Sequence, residues 1–455
     1  MFLGRKKELT ELERRYISNK KEFGIVWGRR RIGKTSLINE FCQNKNALMF
    51  QAKQDNAFGN LRSFSYELNK LLKLPKNYVF SSWEEAFDSI IDFAEKKRFL
   101  LVIDEYPYIV SQDSSFSSVL QNFIDKAGEN IFLILSGSNI SFLKEQLNDE
   151  KSPLYKRKTF AMEIKKLGFE EACLFLSDFS NEDKCNYLTL MLGYPYYLSA
   201  INHDISFEDN VLNLICNEYG IFFDLPNQVL SNSTKCQDVY NAILRSIAYR
   251  HRSIQAISDD IHEETGKVSK YLETLINSEI VEKRTTFMGN KKTNYYEISD
   301  PMMKFWYKAV FENQARIKMN KEMVFESIKP ILNDFVCHGF EDVCKEFLDY
   351  LNRKGKLKYL FPTVQNYKAE KSILGRSVEI DGMARVDDEL LVVECKYRNQ
   401  LFNSSMLEHL IESASIFPDK LNRHYYIFSK SGFEKKLKRR PDLSTFTLDD
   451  IFKTC

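Results

Sequence analysis

Gly28-Arg-Arg-Arg-Ile-Gly-Lys-Thr35 follows the apolar run FGIVW and opens TSLINEFCQ. A loop of this spacing suits phosphate. Gly28 and Gly33 let the backbone N–H groups of Arg29, Arg30, Arg31 and Ile32 turn inward around phosphate oxygens, and the helix beginning at Lys34, Thr35 and Ser36 adds the positive end of its dipole. Lys34 would reach the β and γ phosphates of ATP, and the Thr35 hydroxyl would hold Mg²⁺. The three arginine side chains point away from such phosphates, toward solvent or an acidic neighbour. Downstream, the strand-like RFLLVIDE ends in two acids: Asp104 for the Mg²⁺ shell and Glu105 to polarise the attacking water. IFLILSGSN, residues 131 to 139, is apolar and then abruptly polar. It sets Ser138 or Asn139 beside the γ-phosphate if it neighbours the strand of Asp104; otherwise it simply ends in a turn.

A second constellation lies near the other end. VEID (378 to 381) and LLVVECK (390 to 396) read as two strands of a hairpin joined by a turn at Asp387 and Asp388. Glu394 and Lys396 are two apart and share one face. With Asp381 opposite them, two carboxylates and an ammonium converge. Such acids hold Mg²⁺ or Mn²⁺, and the lysine positions or deprotonates a water for attack on a phosphodiester. An edge hairpin with exposed charges is the competing reading.

The elements that must position these groups follow from periodicity. FGIVW is a short buried strand, and Leu37, Ile38 and Phe41 recur at helical spacing after the loop. Short helical segments run from LGFEEACLFL to YGIFFDL, and the polar, turn-rich PNQVLSNSTK (226 to 235) marks a boundary. Two helices, a third with Val268, Leu272, Leu275 and Ile276 on one face, and a hairpin broken at Gly-Asn then outline a winged helix. Ser269, Lys270 and the hairpin lysines 291 and 292 could meet DNA; a protein-protein spacer role is equally open. MLEHLIESASIF is a helix after the ECK strand. The basic run with Lys435, Lys436, Lys438, Arg439 and Arg440 suits a phosphate backbone or a solvated helix end.

The N-terminal series resembles the archaeal-type ATPases, a STAND branch of AAA+-like P-loop NTPases. FLGRKKEL, the phosphate loop, LLVIDEYPYI, LSGSNISFL, SPLYKRKT and the Gly193-Tyr-Pro195 segment carry the likeness over roughly the first 230 residues. The resemblance implies that Gly4 and Arg5 lie near the nucleotide base and that Pro195 belongs to a helical lid touching the nucleotide. Arg157 in SPLYKRKT is a candidate γ-phosphate or neighbour-facing arginine, or part of a solvated basic loop. EID and ECK resemble the PD-(D/E)XK nuclease superfamily over about residues 330 to 455, with Ile380 in place of the proline. Glu341, on an amphipathic helix, matches the additional metal-holding acid of that superfamily.

Length and composition set the frame. The chain has 455 residues, and its 65 basic against 63 acidic side chains give a net charge of +2, so any electrostatic footprint for nucleic acid must be local. Nine cysteines without a CxxC pair favour reduced thiols over a disulfide framework or zinc site. The charged N-terminus and the lack of a run of about 18 apolar residues point to a cytoplasmic protein without a membrane partner. The expected fold is α/β: a P-loop NTPase parallel sheet (1–165), a helical lid (166–232), a winged helix (233–310) and an α/β nuclease-like domain (311–455). The expected partners are a nucleotide, DNA and further copies of the chain. Two functions compete: an ATPase coupled to a metal-dependent nuclease, and a nucleotide switch that binds DNA or protein without cleavage.

Overall fold

The computed structural model describes residues 2–230, 237–288, 294–369, 372, 374–437 and 440–453. The chain divides into two compact units, Met1–Lys166 and Leu167–Cys455.

The first unit is built on β1 (Glu22–Trp27), β2 (Ala47–Gln51), β3 (Phe99–Asp104), β4 (Ile131–Gly137) and β5 (Phe160–Glu163), in the order β2-β3-β4-β1-β5. All four ladders are parallel. The apolar runs FLLVID and IFLILSG are buried along their whole length, as parallel strands covered on both faces must be. Phe64, Trp83, Phe87, Phe116 and Tyr106 fill the core beside them. In register, Ile103 faces Leu135 and Trp27 faces Gly137. The carboxyl ends of β1, β3 and β4 therefore share one edge, where parallel α/β sheets bind ligands.

The second unit opens with short helices, Phe169–Cys173, Asn181–Met191, Pro195–Leu198, Phe207–Leu214 and Leu225–Leu230. Helices Gln237–Ala248, Ile254–Ile261 and Thr265–Asn277 follow, the last burying Val268, Leu272 and Leu275. The antiparallel hairpin of β6 (Val281–Thr285) and β7 (Asn294–Ile298) follows them; Lys291 and Lys292 lie outside the described residues. The 33-residue helix Lys321–Arg353 then leads into a five-stranded sheet. Its strands are β8 (Gln365–Ala369), β9 (Val378–Val386), β10 (Glu389–Lys396), β11 (Asn422–Ser429) and β12 (Leu443–Phe446). The β8-β9-β10 part is antiparallel and the β10-β11-β12 part parallel. Asp387 makes the β9-β10 turn at φ 50°. Ser404–Ala414 is the helix between β10 and β11.

The helices expected as a separate lid share a core with this sheet domain. Phe169 packs on Phe347 and Phe452, with ring centroids 5.4 and 5.7 Å away. Gly339 in the long helix admits Thr189 so closely that a Cβ there would lie 2.2 Å from its methyl. Among the described residues, no helix is long and apolar enough to cross a membrane. Among the described residues, Cys42, Cys185, Cys216, Cys337, Cys344 and Cys395 are free thiols.

Candidate functional site

The phosphate loop spans the gap between β1 and the helix Lys34–Cys42. Gly28 sits where a Cβ would meet the Ile164 carbonyl oxygen at 2.4 Å, so only glycine fits the turn. Gly33 takes φ 90° as the residue before the helix, a conformation that a side chain disfavours. Lys34 is 6% exposed and its ammonium donates to the carbonyls of Gly28 (2.8 Å) and Arg29 (3.0 Å). Burial pushes its pKa down, against the pull of the Glu105 and Asp104 carboxylates. An ammonium has three donors, so one remains for a phosphate oxygen.

Asp104 is fully buried and its carboxylate is surrounded by donors. Thr35 Oγ1 donates to Oδ2 at 2.8 Å, while Ser136 Oγ and the Glu105 N–H (3.0 Å) donate to Oδ1. Glu105 adopts φ 52°, a strained conformation for a non-glycine residue that often marks a functional position. Ser138 donates to Glu105 Oε2 twice, from its N–H at 3.3 Å and from Oγ at 3.1 Å. Asn139 instead caps the helix Ile140–Asn148.

Arg5 is buried behind the loop, its Nη2 donating to the Ile32 carbonyl at 2.8 Å and its Nη1 to Glu8 at 3.1 Å. Gly4 and Arg5 both take positive φ, turning the chain into the first helix, Lys6–Ile17. Arg30 is exposed and donates to the Tyr108 hydroxyl at 2.7 Å. Arg29 and Arg31 are half-buried and Ser36 is exposed.

Arg157 lies elsewhere. It pairs bidentately with Asp125, both contacts at 3.0 Å, and donates to the Pro153 carbonyl. Its segment precedes β5, which runs parallel to β1 from Gly24, so Arg157 sits at the amino edge of the strands. The phosphate loop is at the carboxyl edge, and the γ-phosphate of the same chain is out of its reach. Pro195 starts the helix Pro195–Leu198 in the second unit. Gly193 before it is pressed against Leu167, whose carbonyl would lie 2.0 Å from an added Cβ.

The sheet of the second unit holds the acids. Glu394 and Lys396 project from β10 and form an ion pair. Asp381 on β9 accepts from the Cys395 N–H at 2.8 Å. Between β8 and β9 the register jumps: Gln365 faces Met383, but Tyr367 faces Ile380. Asp381 and Gly382 thus form a β-bulge opposite Asn366, a device that re-aims side chains next to active sites. Gly382 is needed there, since a Cβ would lie 2.7 Å from Val364. Glu341, from the long helix, accepts from Asn366 Nδ2 at 3.1 Å.

Burial, reinforced by the Asp381 charge, pushes both Glu341 and Glu394 up to about 7. Burial also raises Asp381. Lys396 loses hydration on burial, but Glu394 and Asp381 offset this and hold it above the ordinary lysine value. The three acids supply hard oxygen donors of the kind Mg²⁺ and Mn²⁺ prefer. Among the described residues, no three ligand side chains already converge on one point at metal-binding distance.

The surface of the helix Thr265–Asn277 is electrically mixed. Ser269 and Lys270 are exposed, but so are Glu264 and Glu273, and Lys267 is engaged by Glu263 at 2.8 Å. Of the basic run, Arg440 is committed to Asp442 at 2.8 Å, and Lys438 and Arg439 lie outside the described residues. Sequence reasoning missed Ser136, Tyr108 and Asn366. A serine inside the buried run IFLILSG was the one available signal, because a buried hydroxyl needs a partner.

Residues 2–201 match the family described as "ATPase domain predominantly from Archaea", and residues 306–409 match one described as "Archaea bacterial proteins of unknown function". The chain is 27% identical over 414 residues to the uncharacterized protein MJECL04 of Methanocaldococcus jannaschii, covering 88% of each. It is 53% identical over 45 residues to the uncharacterized ATP-binding protein MJ0423 of the same organism, 10% of this chain and 76% of that one. Among solved structures, the Walker-type ATPase PABY2304 of Pyrococcus abyssi aligns with a TM-score of 0.50 at 19% identity, covering 68% of this chain and 96% of that one. Residues 2–201 are therefore similar to a P-loop ATPase domain found mainly in archaea, and residues 306–409 to a domain of proteins of unknown function.

Proposed function

We propose that the chain hydrolyses ATP in its first unit and uses the acid cluster of the second as a divalent-cation site for cutting DNA. The observation that carries the first half is the grip on Asp104, held from Thr35 on one oxygen and from Ser136 on the other. That grip fits Thr35 and Asp104 to Mg²⁺, which would supply charge neutralisation at the phosphates. Lys34 binds phosphate oxygens through its uncommitted donor, and the N–H groups of residues 29 to 33 orient them. Glu105 accepts the proton of the attacking water, and Ser138 holds its carboxylate in place until then.

For the second half the support is three half-buried carboxyls beside a lysine, two of them raised to about 7. Asp381, Glu394 and Glu341 would hold Mg²⁺ or Mn²⁺, which supplies Lewis acidity toward a phosphodiester. Lys396, beside them, would orient the attacking water. The ion pair between those two side chains favours one other reading, a nucleotide switch whose C-terminal domain binds DNA or protein without cutting.

Supercoiled, linear and single-stranded DNA incubated with the protein, Mg²⁺ or Mn²⁺, with and without ATP, separates these readings. Cleavage abolished by Asp381→Ala supports the nuclease, and the Lys34→Ala lane reports whether ATP controls it. Intact DNA in every lane, from protein that still hydrolyses ATP, selects the switch.

A further inference from the structure

Asn366 lies at the meeting point of four elements. Its amide stands between two residues one helical turn apart: Nδ2 donates to Glu341 Oε2 at 3.1 Å, and Oδ1 accepts from Lys345 Nζ at 2.8 Å. Only this amide orientation is chemically consistent, since a carboxylate accepts and an ammonium donates. Its backbone carbonyl takes the Phe287 N–H at 2.9 Å, and Phe287 packs in the core of the sheet domain. Across the ladder it faces the bulge at Asp381 and Gly382. Lys345 Nζ also forms a long ion pair with Glu341 Oε2 at 3.9 Å, beyond hydrogen-bond reach, because its hydrogen bond goes to Asn366.

We propose that Asn366 is a positioning residue, which keeps Glu341 available as a divalent-cation ligand by drawing the Lys345 ammonium into its own hydrogen bond and so keeping the Glu341–Lys345 ion pair long. This rests on reading the acid cluster as a cation site. Lys396 already neutralises Glu394. A second lysine closing on Glu341 would leave Asp381 as the one acid without a cationic partner, and a cation would have to displace both ammonium groups. Partners of this kind, which orient a ligand without touching the metal, are typically worth about 10- to 100-fold in metal affinity.

The test is Mn²⁺ binding to the full, nucleotide-free chain at fixed pH, followed by electron paramagnetic resonance. The signal abolished by Asp381→Ala defines the cluster. Asn366→Leu, close in volume and lacking both hydrogen bonds, is expected to weaken that signal's affinity roughly 10- to 100-fold. Asn366→Leu combined with Lys345→Met is expected to recover most of the loss, which a merely misfolded site would not do. Thermal melting of each variant identifies unfolded protein, and Asn366→Gln is the milder substitute if Asn366→Leu melts early. Affinity within about twofold of wild type in a folded Asn366 variant, or no recovery in the double variant, overturns the role of Asn366 alone. A wild-type chain without an Asp381-dependent Mn²⁺ signal overturns the cation-site reading beneath it.

Discussion

Ser136→Ala isolates the grip on Asp104. Both residues are fully buried, so no water from bulk replaces the lost hydroxyl, and Oδ1 keeps only the Glu105 N–H as donor. A hydrogen bond to a charged group contributes about 1.5 to 3 kcal/mol. At about 1.4 kcal/mol per tenfold, that is roughly 10- to 150-fold in whatever Asp104 is oriented to bind. If the hydroxyl serves to aim Oδ2 toward Thr35 and Mg²⁺, the Mg²⁺ concentration for half-maximal ATP hydrolysis rises by that factor. Turnover at saturating Mg²⁺ then stays within a few-fold of wild type. Ser138→Ala is the contrast, because Ser138 touches Glu105 rather than Asp104. It is expected to change turnover and leave the Mg²⁺ requirement alone. Steady-state ATPase measurements over a Mg²⁺ series read both variants. An unchanged Mg²⁺ requirement in folded Ser136→Ala, or a shifted one in Ser138→Ala, refutes this division of labour.

Glu297 is largely enclosed by Lys304 (2.8 Å), Arg252 (3.3 Å) and Arg284 (3.3 Å). Burial alone would raise its pKa, yet these cations pull it down to about 2. Glu297→Ala leaves three cations facing one another and should destabilise the chain by about 3 to 5 kcal/mol, read as a lower urea midpoint at pH 7. Because the folded pKa is depressed, wild type holds this stability above the unfolded pKa near 4.5 and loses it as pH falls toward about 2. The gap between the two proteins should therefore shrink at pH 3, and a constant gap counts against the ion cluster. Arg157→Ala is expected to leave ATP turnover unchanged at every protein concentration, since its partner is Asp125 at the far edge of the sheet. A loss that appears only in concentrated protein would restore a neighbour-facing role. Arg398 is exposed two residues beyond Lys396, and its charge acts on Glu394. If the second unit acts on DNA as proposed, Arg398→Ala should weaken that binding uniformly across sequences and lower the salt slope by about 1, as loss of one phosphate contact does; an unchanged slope excludes that contact.

What the sequence disclosed depended on how local the signal was. The phosphate loop and the two acids after FLLVI are contiguous runs whose chemistry follows from neighbouring residues, so both were legible. Arg157 was not. A basic segment reads alike at either edge of a sheet, and only the parallel pairing of β5 with β1 shows that residues preceding Phe160 lie away from the phosphate loop. The sequence points to Ser138 and not Ser136 because the change from apolar to polar reads as the end of the strand, whereas β4 runs on to Gly137. Asn366 carries no sequence signal: its role depends on an extra residue in β9, and a bulge is a property of two paired strands.

The short helices after Leu167 show a similar limit, with a mechanistic consequence. Their spacing suggested a lid, but nothing in it said what they pack against. The helix Asn181–Met191 reaches the sheet domain through Asn186, which accepts from the Tyr397 hydroxyl at 2.8 Å. Tyr397 directly follows Lys396, and the same helix packs through Thr189 onto the helix that carries Glu341. A hinge between these helices and the acid cluster would have to open a closely packed contact and expose Phe169, Phe347 and Phe452. Close-packed interfaces shift as bodies rather than bend continuously. A displacement of the helices Asn181–Met191 and Pro195–Leu198 would therefore carry Glu341 and Lys396 along as one body. The acid cluster would be carried with that movement rather than reshaped by it.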